Sequence, residues 1–114
     1  GSIEYAVSHL HTPLVMVMGH SSCGAVSAVA QGVKLHGHIA SLTPSIDAAL
    51  KKTKGMEGHW TNNAAKELAL ATAKKIEESE PIVADLVKEG RVLVVATYYD
   101  LETGVVSMLN GPEF

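Results

Sequence analysis

Leu14-Val15-Met16-Val17-Met18-Gly19-His20-Ser21-Ser22-Cys23-Gly24 is the stretch on which the reading of this chain turns. Leu14 to Met18 is a continuous apolar run without polar alternation, the pattern of a strand covered on both faces of a parallel sheet. Gly19 to Gly24 then reads as a tight turn, and Ala25 to Gln31 as a helix of small residues. Strand, Gly-containing turn and helix make a βα unit, which places the chain in the α/β class. Open α/β sheets put ligands in the crevice beyond the carboxyl ends of their strands. His20 and Cys23 fall at that position.

Working outward, Ser2 to Leu10 predicts a short helix with Ile3, Ala6, Val7 and Leu10 on one face, ended by Thr12-Pro13. Gly32 to Gly37 is a turn-rich connection. Ile39 to Lys52 predicts a helix in which Pro44 occupies the first turn and Thr43 is the N-cap. After a loop at Thr53 to Gly58, Thr61 or Asn62 is expected to cap a long helix running to about Glu78. Its inward stripe would be Ala65, Leu68, Ala69, Thr72 and Ile76. Pro81 opens another short helix over Ile82 to Lys88, stopped by Gly90. Arg91 to Thr97 is a Val-rich strand, and Asp100 to Gly104 a turn. Val105 to Leu109 is a short final strand, antiparallel to its neighbour. The expected architecture is a partial parallel sheet flanked by helices, with a C-terminal antiparallel strand.

The bulk properties narrow the function classes. A chain of 114 residues is one domain by length. It is 46% hydrophobic and 18% charged, as soluble globular proteins are, and aromatics are few, so Val, Leu, Ile, Ala and Met must build the core. A formal net charge of −3 argues against a broad nucleic-acid surface. No apolar run approaches the roughly 20 residues needed to cross a bilayer. A single cysteine excludes an intrachain disulfide, and the cytoplasm is the expected compartment.

The chemistry lies in His20 and Cys23. A helix N-terminus favours negative charge, which favours the thiolate form of Cys23. A thiolate and an imidazole three residues apart across a tight turn can both reach one Zn²⁺, a metal that takes sulfur and nitrogen ligands. Gly19 and Gly24 are expected to let the backbone turn sharply and approach the metal. Spacing alone leaves other readings open. Cys23 can be a buried small hydrophobe and His20 a residue bonded to the backbone. Cys23 can be a nucleophile with His20 as its base. A phosphate loop lacks its Gly-x-Gly-x-x-Gly spacing and its Lys-Ser/Thr end.

The surrounding residues reduce these alternatives. Gly1-Ser2-Ile3-Glu4-Tyr5-Ala6-Val7 and Thr12 to Val26 closely resemble the central segment of β-class carbonic anhydrases. Pro81-Ile82-Val83, Val92 to Thr97, and Tyr99-Asp100-Leu101-Glu102-Thr103-Gly104-Val105 continue the likeness, while Leu35 to Ala65 is less diagnostic. The resemblance implies a zinc enzyme converting CO₂ and bicarbonate, its metal held by two Cys and one His, with His20 and Cys23 as two of these ligands. It also implies dimers or higher assemblies. In the family the remaining Cys comes from an upstream Cys-x-Asp-x-Arg motif. This chain has no second Cys; its sole Arg is Arg91, and Asp47, Asp85 and Asp100 lie in other contexts. Residues 1–114 are therefore expected to form a single but incomplete domain with a zinc half-site, inactive alone and without an assignable catalytic residue. Its partner would be a missing N-terminal half or another copy, paired along the strand edge that the absent segment leaves open. A non-catalytic α/β scaffold or assembly subunit is the reading from another class. Hydrolysis of another CO₂-like molecule is the enzymatic alternative.

The other conspicuous residues carry less. His9, His11, His36 and His38 lack convergent ligands and are expected in solvent. Trp60 is expected to pack on the helix it precedes, Lys51, Lys52 and Lys54 to end a solvated helix, and Met16 and Met18 to fill the core.

Overall fold

The computed structural model describes residues 1–111, in the order α1 (Ser2–Ser8), β1 (Leu14–His20), α2 (Gly24–Ala30), a 3₁₀ segment (Gly37–Leu42), α3 (Thr43–Thr53), α4 (Trp60–Glu77), α5 (Val83–Lys88), β2 (Leu93–Tyr99) and β3 (Val106–Met108). The sheet has the order β1-β2-β3. β1 and β2 are parallel, with Leu14 opposite Leu93 and His20 opposite Tyr99. β3 returns antiparallel, with Thr97 opposite Met108. The class is α/β, as the strand–turn–helix unit predicts, and the closing strand has the expected direction.

β2 is the centre of the sheet and of the core. Val94, Val95, Ala96, Thr97 and Tyr98 are all buried, and full burial of each Val contributes about 1.5–3 kcal/mol. The Thr97 hydroxyl, fully buried, donates to the Val17 carbonyl at 3.2 Å and so ties β2 to β1 through a side chain as well as the ladder.

α4 lies across the sheet on a face of small residues. Ala65, Ala69 and Ala73 are buried there and Ala64 is buried toward α2 and α3, whereas Leu68, Thr72 and Ile76 are only half-buried. The inward stripe is thus centred nearer the alanines than the hydrophobic periodicity indicates. Short side chains let the helix axis come close to the strands, so the largest apolar groups fall at its flanks. Val7, Ala69, Ala73, Val83, Leu86, Val92, Val94 and Ala96 form one core cluster; Val26, Ile46, Ala49, Leu50 and Ala64 form another beneath α2 and α3.

Several expectations give way here. β1 is an edge strand in this chain, not one buried on both faces. Leu14, Met16 and Met18 are 37%, 38% and 47% exposed, so the two methionines are not core filler. Val15 and Val17, on the α4 side, pack against the core. The expected helix from Ile39 to Lys52 is two pieces. Pro44 lies in the first turn of α3 as expected, but Thr43 is already helical, and Leu42 occupies the cap position without a side-chain bond. α4 begins at Trp60, so its cap lies at His59, two or three residues before the expected Thr61 or Asn62. The His59 ring caps it instead, Nδ1 accepting from the Asn62 amide at 3.4 Å and lying 2.9 Å from the Thr61 hydroxyl. Trp60 reaches away from its own helix: Nε1 donates to the Leu50 carbonyl at 3.0 Å, satisfying an acceptor in the last turn of α3.

Candidate metal half-site

The turn after β1 is held from three directions. The Ser21 amide continues the parallel ladder by donating to the Tyr99 carbonyl at 3.0 Å. The Ser21 hydroxyl, in a buried residue, accepts from the Leu101 amide at 2.9 Å. Ser22 follows in the left-handed region, φ 53°, a conformation that costs a non-glycine residue roughly 1–2 kcal/mol. Its amide donates to Asn62 Oδ1 at 3.0 Å. Cys23 then stands as the N-cap of α2 in extended backbone.

The two glycines serve a purpose different from the one expected of them. Neither is the left-handed residue of the turn; Ser22 is. A β-carbon on Gly19 would lie 2.8 Å from the Ala65 carbonyl oxygen and 3.4 Å from Ala69 Cβ, so Gly19 is required by the close approach of α4. A β-carbon on Gly24 would meet nothing within 4 Å.

His20 is exposed at the end of β1. Its Nδ1 lies 2.8 Å from the Ser21 carbonyl. A carbonyl only accepts, so this bond places the proton on Nδ1 and leaves the Nε2 lone pair free in the neutral ring. A backbone partner on one ring nitrogen is the usual way a metal-ligating histidine is oriented. Cys23 is a free, half-buried thiol packed beside the Val26–Ile46 cluster. His20 and Cys23 line one cleft of about 260 Å³ between the open edge of β1, α2 and α4, whose remaining wall includes Val17, Val26 and Leu68. The structure thus brings together the pair singled out from spacing. In kind, the donors suit zinc: one thiol sulfur and one imidazole nitrogen. Among the described residues no group of three or more His, Cys, Asp or Glu side chains is placed to hold a metal. Arg91 is exposed and paired with Glu89 at 3.3 Å.

On the far side of Ser21, Tyr98 is 8% exposed and lies under the Lys66 ammonium, 4.7 Å from its ring centroid. Burial pushes the Tyr98 hydroxyl above its ordinary value, a hydrogen bond with Ser21 pulls it back, and the Asp100 carboxylate adds to the rise. Sequence reasoning did not find Asn62, Ser21 or Tyr98 as parts of this site. The Asn62 contact joins residues 40 positions apart and the Ser21 contact residues 80 apart, and no local pattern signals either.

Fold and cleft together define an α/β protein with a sulfur–nitrogen donor pair beyond the carboxyl end of a parallel strand. The sequence model of the carbonic anhydrase family matches residues 1–106, and the chain belongs to that family, in its β class. It is 32% identical over 120 aligned positions to a carbonic anhydrase of Mycolicibacterium smegmatis, covering 95% of this chain and 54% of that protein. The fold is shared with the β-carbonic anhydrase CcaA, at a TM-score of 0.78 and 21% identity over 96% of this chain and 56% of that one. It is shared also with a tetrameric β-carbonic anhydrase of Sordaria macrospora, at a TM-score of 0.73 and 19% identity over 96% and 58% of the two chains. The chain spans about half the length of the curated relatives it matches.

Proposed function

We propose that the protein catalyses zinc-dependent reversible hydration of CO₂ to bicarbonate, with His20 and Cys23 as two of the metal's protein ligands. The supporting observation is the shared cleft, in which His20 keeps Nε2 free because Nδ1 is committed to the Ser21 carbonyl. Zinc, when bound, supplies the Lewis acidity that makes a nucleophile of water near neutral pH. The chain's own residues hold and orient. Ser21 fixes the imidazole, the thiolate of Cys23 supplies charge, and Val17, Val26 and Leu68 form an apolar wall suited to a small uncharged substrate. Hydrolysis of another CO₂-like molecule at the same position would use the same groups.

On this reading residues 1–114 supply a half-site and are inactive alone, because catalytic zinc sites take three protein ligands. The remaining ligand comes from a segment of the Cys-x-Asp-x-Arg kind, carried on an N-terminal half or another polypeptide. Its place is the open edge of β1, where pairing with a second copy is the competing mode of association. The protein acts in the cytoplasm. Among the described residues no helix is long and apolar enough to cross a membrane. The half-burial of Cys23 against Val26 and Ile46 favours a second reading, a non-catalytic scaffold in which the turn is structural.

The test is zinc content and stopped-flow CO₂ hydration of the purified chain, alone and mixed with the N-terminal half of a family member. Alone, it should bind zinc weakly, lose that binding in His20→Ala or Cys23→Ser, and hydrate CO₂ no faster than buffer. Added N-terminal half should raise the rate. Full activity of the chain alone would contradict the half-site, and zinc uptake indifferent to both substitutions would favour the scaffold.

A further inference from the structure

We propose that Asn62 is a positioning residue for the metal ligands: by accepting the Ser22 amide it holds Ser22 in the left-handed conformation that turns His20 and Cys23 toward one cleft. The inference rests on the zinc reading for its consequence but on geometry for its content. His20 and Cys23 are separated by Ser21 and Ser22 alone, so the backbone angles of those residues set where the two donors lie relative to one another. Ser21 is fixed through the ladder to Tyr99 and through its hydroxyl to the Leu101 amide. Ser22 is exposed, has φ 53°, and has the Asn62 side chain as the partner of its amide at 3.0 Å. The left-handed conformation costs serine roughly 1–2 kcal/mol. Asn62 provides the constraint.

Asn62 is itself located with care. The His59 ring caps the helix at the Asn62 amide, and Asn63 Nδ2 donates to the Glu57 carbonyl at 2.9 Å, closing the loop that precedes α4. One turn further along, Ala65 meets Gly19 with no room for a β-carbon. The contact that presses α4 onto the end of β1 therefore also sets the first turn of α4 over the His20–Cys23 turn. Asn62 supplies no metal ligand in this scheme. It acts through Ser22.

The experiment compares the 114-residue chain with Asn62→Ala, Asn62→Asp, and Asn62→Ala combined with Ser22→Gly. The readouts are Zn²⁺ affinity by chelator competition, the alkylation rate of Cys23 by iodoacetamide, and hydrogen exchange of the residue-22 amide, with circular dichroism to establish folding. Asn62→Ala should weaken zinc binding by about ten-fold or more, the scale of losses on removing groups that orient ligands. It should change the Cys23 alkylation rate and speed residue-22 exchange. Asn62→Asp keeps an oxygen acceptor and should stay within about twofold of the parent in all three. Adding Ser22→Gly to Asn62→Ala should recover most of the zinc affinity and the alkylation rate, because glycine adopts the left-handed conformation at no steric cost. Exchange should stay fast, since the amide still has no partner. A merely structural role gives no such split.

The proposal is overturned if Asn62→Ala leaves zinc affinity and Cys23 alkylation unchanged, or if Ser22→Gly recovers neither. Should Asn62→Ala fail to fold, an Asn62→Asp chain that loses both properties overturns it, and one that keeps them while Asn62→Leu loses them supports it. If the parent chain takes up no zinc, the metal reading falls, and alkylation and exchange alone decide the positioning of the turn.

Discussion

The carbonyl oxygen of Ala65 lies only 2.8 Å from where a β-carbon on Gly19 would stand, too close for the two to coexist without a shift. Gly19→Ala must therefore push α4 off β1, with an overpacking cost of about 1–3 kcal/mol. Urea denaturation should show a lower midpoint. Gly24→Ala is the control: its β-carbon meets nothing, and it opens α2 without a positive φ. It should be neutral or stabilising by up to about 1 kcal/mol. Equal losses in the two variants would show that helix–strand spacing does not set the role of Gly19.

Trp60 links two helices by one hydrogen bond, Nε1 to the Leu50 carbonyl at 3.0 Å. Trp60→Phe keeps most of the ring packing and removes the donor. Stability should fall by about 0.5–1.5 kcal/mol, read from thermal melts by circular dichroism.

Tyr98 should make the fold sensitive to strong alkali. The unfolded phenol loses its proton near 10.0, whereas burial keeps the folded one protonated to higher pH. Between those values the folded state binds more protons, so stability is fully present below about pH 10 and falls as pH rises toward the folded value. Urea midpoints at pH 9, 10 and 11 should therefore decline less steeply in Tyr98→Phe than in the parent. The absolute stability of the variant at neutral pH is a separate matter, because it also loses the Ser21 hydrogen bond.

Met16 and Met18 present apolar surface at an unpaired strand edge, a setting that favours pairing between chains. Met16→Lys and Met18→Lys should lower light scattering at high protein concentration while leaving the unfolding free energy from urea denaturation within about 0.5 kcal/mol of the parent, as exposed substitutions do. Unchanged association in both variants would remove this edge as its cause.

The sequence discloses what depends on neighbours along the chain. The apolar run of β1, the Gly stop at Gly90 and the return of β3 are all local signals, and each is found in the structure. His20 and Cys23, three residues apart, were legible for the same reason. What was misread depends on partners remote in sequence. Leu14 to Met18 has the composition of a doubly covered strand, but coverage is decided by which elements lie on it, and among the described residues α4 is the helix that packs closely on it. The turn was attributed to its glycines, although Ser22 takes the unusual conformation and Gly19 answers to a helix that begins at Trp60. His59 caps α4 through its ring. A capping role for its ring is not visible without the three-dimensional path of the loop.

The bonds that shape the His20–Cys23 turn reach across 40 residues to Asn62 and 80 residues to Leu101. Closing such loops is entropically costly, and contacts of long sequence separation slow folding. A chain emerging from the ribosome displays His20 and Cys23 long before it holds Leu101. The relative placing of the two side chains therefore depends on distant parts of the chain having docked, and a chain cut before Leu101 lacks one of the bonds that hold the turn.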